Sequence, residues 1–164
     1  MRKSSGKPAP KAGHGGSGQL RIIAGQWRSR RFVFPEGPGL RPTPDRVRET
    51  LFNWLAPHVE GAHVLDCFAG SGAMLLESLS RGAASGLACD LNPASVSALR
   101  GHLATLQCSA GEIQLGDALQ LLARPAPRRF DIVLLDPPFH KDLLQGACNL
   151  LEAQGWLSDD AWVY

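Results

Sequence analysis

The sequence predicts an α/β domain: a mostly parallel sheet with helices on both faces and a basic N-terminal extension. Three observations carry that expectation. From residue 60 onward, short apolar runs alternate with segments of helical periodicity. The runs are apolar throughout instead of alternating, as in strands covered on both faces. Four of them are followed at once by an aspartate and a turn.

Residues 63–68 (HVLDCF) read as the first strand and 72–82 (GAMLLESLSRG) as a helix that a glycine terminates. Residues 86–91 (GLACDL) form the second strand, and 93–106 a helix with Pro93 in its first turn. The third strand is 112–117 (EIQLGD), with a short helix at 118–123. The fourth is 130–136 (FDIVLLD), followed by a helix over 142–153, and residues 161–164 (AWVY) begin a fifth. A chain of 164 residues, 44% hydrophobic and 20% charged, suits one globular domain without a membrane span. Residues 1–19, rich in Gly, Ser, Pro and Lys, are expected to be a disordered basic tail and not an export signal. Residues 20–59 are expected to form a hairpin and a helix, and 60–164 the α/β core. Cys67, Cys89, Cys108 and Cys148 form no CxxC pair, which points to reduced thiols in a cytoplasmic protein. The histidines show no metal-ligand spacing, and no metal is expected.

Charge is unevenly placed. Residues 1–50 hold 11 Lys and Arg against 3 Asp and Glu, whereas residues 51–164 hold 6 against 12. A basic front on an acidic body suits a polyanionic partner. Arg21, Arg28, Arg30 and Arg31 alternate with Ile22, Ile23, Trp27, Phe32 and Phe34, so they are expected on an ordered hairpin and not in a solvated tail. In 40–55 (LRPTPDRVRETLFNWL), Asp45 can cap a helix whose apolar positions are Val47, Leu51 and Leu55; Arg41, Arg46 and Arg48 are the less ordinary residues there. For Arg46, an ion pair with Glu49 competes with a binding role.

In parallel α/β sheets, ligands bind at the carboxyl ends of the strands. Those ends carry Asp66 to Gly72 (DCFAGSG), then Asp90, then Asp117, then Asp136-Pro137-Pro138-Phe139. Asp90 and Asp117 each have a plainer reading as helix caps, but capping does not require a carboxylate at four adjacent strand ends. Gly70 and Gly72 would let a ligand approach the backbone, an acid after the second strand suits two ribose hydroxyls, and Asp117 suits an adenine amino group. The dinucleotide fingerprint is incomplete, since its third glycine position is Leu75. Asp66 would also repel a pyrophosphate. A nucleoside that is cationic and lacks phosphate fits better, and S-adenosylmethionine is such a molecule.

The loop DxFAGSG at 66–72 and DPPF at 136–139 resemble those of class I methyltransferases acting on exocyclic amines. With RIIAGQWRSRR at 21–31 and LRPTPDRVRETLFNWL at 40–55, the chain closely resembles the bacterial ribosomal RNA small subunit methyltransferase D family from about residue 20 to its last residue. Asp90 stands where that family usually has Glu, and Ser29 where it usually has Gly. The resemblance implies a Rossmann-like fold and transfer of a methyl group from S-adenosylmethionine to a guanine N2 of 16S rRNA. It also implies a cofactor site of Asp66, Phe68, Ala69, Gly70, Ser71, Gly72, Asp90, Asp117 and Ala118, and a catalytic set of Asp136, Pro137, Pro138 and Phe139. RNA contacts are expected from Arg21, Arg28, Arg30, Arg31, Arg41 and Arg46, with Arg41 and Thr43 at the site's rim. The protein is expected to act as a monomer on the small ribosomal subunit, away from membranes. Alternatives are an adenine-N6 or protein glutamine-N5 methyltransferase of the same fold, or a catalytically silent RNA-binding module. The resembled fold has seven strands ending in an antiparallel hairpin, so the chain, which stops in the fifth, is expected to be truncated.

Overall fold

A computed structural model describes residues 17–38, 40, 42–139 and 142–164. Its parallel sheet consists of β3 (His63–Asp66), β4 (Ser85–Asp90), β5 (Gly111–Leu115), β6 (Phe130–Leu134) and β7 (Leu157–Val163), in the order β5-β4-β3-β6-β7. The first of these strands in sequence is therefore central. The chain builds outward to β5, then returns to the other side of β3 to lay down β6. This reversal leaves a crevice above the carboxyl ends of β3 and β6, where open α/β sheets bind their ligands.

Successive side chains of a strand point to opposite faces, and the core divides accordingly. Val64, Ala88 and Ile132 join one buried cluster with α1 (Asp45–Val59), α2 (Ala73–Ser80) and α3 (Pro93–Thr105). Leu65, Leu87 and Val133 join the other with α4 (Ala118–Leu122) and α5 (Leu143–Ala153). Both faces of the sheet are thus covered, which is why its strands are apolar throughout.

Two expectations about elements are corrected. β7 begins at Leu157, four residues earlier than the apolar run suggests. Phe130 pairs with Leu157 but Ile132 pairs with Trp162, so a bulge absorbs the polar residues between and hides the strand from a periodicity argument. Asp45 does not cap α1. Pro44 occupies the cap position without a side-chain hydrogen bond, and Asp45 instead pairs with Arg48 and with Arg21 at 3.3 Å. The buried stripe of α1 is Arg48, Leu51, Phe52, Leu55 and Val59, while Val47 is exposed.

The basic front is ordered from Ser17, inside the segment expected as tail. β1 (Ser17–Arg21) and β2 (Arg31–Pro35) form an antiparallel hairpin in which Ser17 faces Pro35 and Arg21 faces Arg31. It docks through Leu20, Phe32 and Phe34, which belong to the α1–α3 core. His102 of α3 adds a contact, its Nε2 2.9 Å from the Val33 carbonyl and its ring 4.7 Å from that of Phe32.

The hairpin's connecting turn contains Ser29 at φ 69°, a left-handed conformation that costs a residue with a side chain about 1–2 kcal/mol. Ser29→Gly is therefore expected to raise stability by about 1 kcal/mol, an increase in urea midpoint at unchanged slope. An unchanged or lower midpoint would contradict this account.

Candidate active site

One cleft of about 730 Å³ lies over the carboxyl ends of the strands. All four aspartates, Asp66, Asp90, Asp117 and Asp136, line it, although they span 70 residues of sequence. Phe68, Ala69, Gly70, Ser71, Ala118, Pro137, Pro138 and Phe139 line it as well.

The β3–α2 loop forms the floor. Its backbone is tied across the sheet: Cys67 N donates to Leu134 O at 3.1 Å and Ala69 N to Cys89 O at 3.0 Å, so the loop bridges β6 and β4. Gly72 does not line the cleft. It caps α2 at φ 78°, where a Cβ would stand 2.3 Å from Leu99 Cδ1; its glycine serves helix packing, not ligand approach.

Asp90 is held by the floor itself. Its Oδ2 accepts from Gly70 N at 2.7 Å and its Oδ1 from Asn92 N at 2.8 Å. It caps no helix. Asn92 caps α3, accepting from Ala94 N and Ser95 N, and so leaves the Asp90 carboxylate fixed with lone pairs to spare for two adjacent hydroxyl donors. Asp117 caps α4 through Gln120 N at 2.9 Å, as its plainer reading expects, and its residue also lines the cleft. Leu91, exposed between Asp90 and Asn92, supplies an apolar wall that was not singled out from sequence.

Asp66 differs from its neighbours. It is 4% exposed, and its Oδ2 has no hydrogen-bond partner among the described residues. Burial pushes its pKa up to about 7; the Phe68 amide opposes this, and the Asp90 and Asp136 carboxylates add to it. A buried acceptor of this kind, left unpaired beside two other carboxylates, suits a cationic donor. Without one, the folded protein binds more protons at Asp66 than the unfolded chain does between about pH 4 and 7, so this group's contribution to stability falls as pH rises through that window. Asp66→Asn removes the titration. The variant should gain on the wild type by up to about 4 kcal/mol across the window and lose affinity for a cationic ligand. Urea unfolding at several pH values, paired with ligand calorimetry, checks both signs.

Asp136, exposed, follows β6 at the cleft's mouth, and the exposed Phe139 stands beside it. Pro38, Leu40 and Thr43 close the same mouth from the segment linking β2 to α1. Arg41, expected at that rim, lies outside the described residues.

The arginines are not gathered at the cleft. The turn carrying Arg28 and Arg30 is anchored to the far end of α2: Gln26 N donates to Ser80 O at 2.8 Å, Trp27 N to Ser80 Oγ at 3.0 Å, and Ile23 N and Ala24 N to Glu77 at 2.9 and 3.0 Å. Gly25 permits the approach, since a Cβ there would stand 1.9 Å from Ser80 O. Five paired residues separate this turn from the hairpin's open end near the cleft, about 16 Å at the usual rise. Arg31 points its Nη1 at Gln19 Oε1, 3.1 Å away; Arg21 pairs with Asp45 yet stays half exposed; Arg46 is exposed on α1 and makes no ion pair with Glu49. Arg48, by contrast, is 1% exposed and is structural, reaching Glu77, Asp45, Thr43 O and Arg21 O. The Glu77 and Ser80 anchors were missed from sequence. The signal was there: a glutamate and serines inside an otherwise apolar helix, where a buried carboxylate demands partners.

Comparison with known proteins agrees with this architecture. Residues 20–164 match the family described as conserved hypothetical protein 95. The chain is 51% identical over 154 residues to ribosomal RNA small subunit methyltransferase D of Escherichia coli, covering 94% of this chain and 77% of that protein. Its namesake in Haemophilus influenzae is 43% identical over 90% of the chain and 78% of its own length. The solved structure of the Escherichia coli protein yhhF superposes with a TM-score of 0.84 at 46% identity, over 89% of this chain and 79% of that one. On the order of its motifs, the cleft they share and these matches, the chain belongs to the ribosomal RNA small subunit methyltransferase D family.

Proposed function

We propose that the protein transfers a methyl group from S-adenosylmethionine to the exocyclic N2 amine of a guanine in 16S rRNA of the small ribosomal subunit. The observation that carries this reading is the meeting, in one cleft, of the buried, unpartnered Asp66 carboxylate, the Asp90 carboxylate held by Gly70 N and the Asp136-Pro137-Pro138-Phe139 corner. The relatives' names supply the RNA.

The residues present fit the cofactor. Asp66 Oδ2 takes the amino group, Asp90 the ribose hydroxyls, and Asp117 with Ala118 and Leu91 the adenine. S-adenosylmethionine supplies an electrophilic methyl group on a sulfonium. The protein's task is to bring a weak nucleophile to it, because the lone pair of an exocyclic amine is delocalised into the base. Holding reactants in line contributes roughly 7–11 kcal/mol in well-oriented systems. Asp136 accepts from the N2 amine, drawing its hydrogens aside and leaving lone-pair density facing the cofactor; its exposure gives the released proton a path to water. Pro137 and Pro138 stiffen the corner so that a backbone carbonyl serves as second acceptor. Phe139 offers a face to the flipped base, about 1–3 kcal/mol by analogy with other base stacking.

RNA contact follows the hairpin. Arg28 and Arg30 on the anchored turn, Arg31 and Arg21 on the strands beside it and Arg46 on α1 are the described arginines that serve this contact. Replacing Arg28, Arg30 and Arg31 together is expected to weaken RNA binding and shallow its log–log salt slope by about 3, close to one per lost phosphate contact. An unchanged slope would remove them from the interface.

The deciding experiment is tritiated methyl transfer onto small subunits and onto naked 16S rRNA, followed by nucleoside mass spectrometry. N2-methylguanosine supports the reading. Label found as N6-methyladenosine, or in protein alone, overturns it.

A further inference from the structure

A second cleft, of about 610 Å³, opens at the hairpin's cleft-side end. It has an apolar floor of Phe34, Leu40 and Pro42 and polar groups at Gln19 and Glu36. Leu40 lines both this cleft and the first, so the two are neighbours across one side chain. Its volume falls within the usual range of about 300–1,000 Å³ for small-molecule sites.

The polar groups are specific in what they can hold. Glu36 is an exposed carboxylate just beyond the end of β2, at the hairpin's open end. A carboxylate repels phosphate and accepts only from donors. The Oε1 of Gln19 already accepts from Arg31 Nη1 at 3.1 Å, so the amide N–H groups are what this side chain has left to offer. The site therefore combines a two-oxygen acceptor, a donor and an apolar floor.

Among nucleobases, guanine matches this set. Its Watson–Crick edge places N1–H and N2–H side by side, a bidentate partner for a carboxylate, with the O6 acceptor next to them for an amide donor. Adenine and cytosine present one amino group beside an acceptor lone pair, which a carboxylate repels. Uracil presents a single N–H between two carbonyls. Unpaired bases of RNA are read in this way, by hydrogen bonds on the Watson–Crick edge over an apolar or aromatic surface.

We propose that this cleft is a second base subsite, which takes an unpaired guanine of the substrate RNA other than the one methylated. The inference rests on the rRNA reading above. Glu36 reads the base, Gln19 couples it to Arg31, and Leu40 sets its distance from the target base. The subsite lies between the arginine turn and the reaction cleft, where the strand would pass.

Glu36→Gln and Glu36→Ala, in the full chain, test it with the methyl-transfer assay on 16S rRNA. Both should raise the KM for RNA about tenfold while the dissociation constant for S-adenosylmethionine stays within twofold. Inosine, which lacks the N2 amine, is then placed singly at guanines near the target. The wild type should lose about tenfold in kcat/KM at one non-target position, and Glu36→Gln should be indifferent to that same replacement. An unchanged RNA KM in both variants, or no inosine position whose effect vanishes in Glu36→Gln, overturns the subsite alone. Absence of RNA labelling by the wild type overturns the rRNA reading and the subsite with it.

Discussion

Asp136→Ala is expected to reduce single-turnover methyl transfer by about 10²–10³ or more, while S-adenosylmethionine binds within a few-fold of the wild-type affinity. Removing one well-placed group that acts on developing charge costs that much in other enzymes. The separation of the two effects follows from position. Asp136 is exposed beyond the end of β6, whereas the residues proposed to hold the cofactor lie at the ends of β3, β4 and β5. Its carboxylate also adds to the rise in the Asp66 pKa that burial causes, so its loss makes Asp66 ionise more readily and offsets the negative charge removed from beside the cation. Stopped-reaction assays and calorimetry on the same preparation check both. Normal turnover in the variant would end the assignment of Asp136 to the amine.

Glu77→Gln is expected to lower stability by about 3–5 kcal/mol, enough to leave a domain of ordinary stability marginal. Glu77 is fully buried, and four donors converge on it: Ile23 N, Ala24 N, Arg81 Nε at 2.8 Å and Arg48 Nη1 at 3.4 Å. Neutralising it leaves the buried Arg48 guanidinium short of its counter-charge and turns an amide N–H toward backbone donors. The loss should also loosen the hairpin, since Glu77 and Ser80 hold its turn. Urea unfolding measures the first effect, and protease cleavage between residues 22 and 30 of the folded protein measures the second. A midpoint shift equivalent to less than about 1 kcal/mol would mean that Glu77 is not the anchor described.

How far the sequence could be read depends on whether a residue's role is local. Asp66, Asp90, Asp117 and Asp136 were legible because each follows an apolar run, and a parallel sheet must bring the ends of its strands to one edge. Arg48 was not. It looks like its neighbour Arg46, and only the fold shows one arginine buried against Glu77 and the other in solvent. Asp45 was misplaced for a related reason. Capping is a local expectation, and the nearby Arg48 and Arg21 took its carboxylate instead. β7 was half hidden because a bulge breaks the period on which strand recognition relies.

By itself, then, the sequence determined the sheet, the order of its motifs and the family, because alternation of apolar runs and short loop motifs are properties of neighbours along the chain. The tertiary structure alone decided which carboxylate is buried without a partner, how the arginine turn is pinned to the far end of α2, and that a second cleft adjoins the first. Those are contacts between residues roughly 15 to 70 positions apart, and no local propensity encodes them.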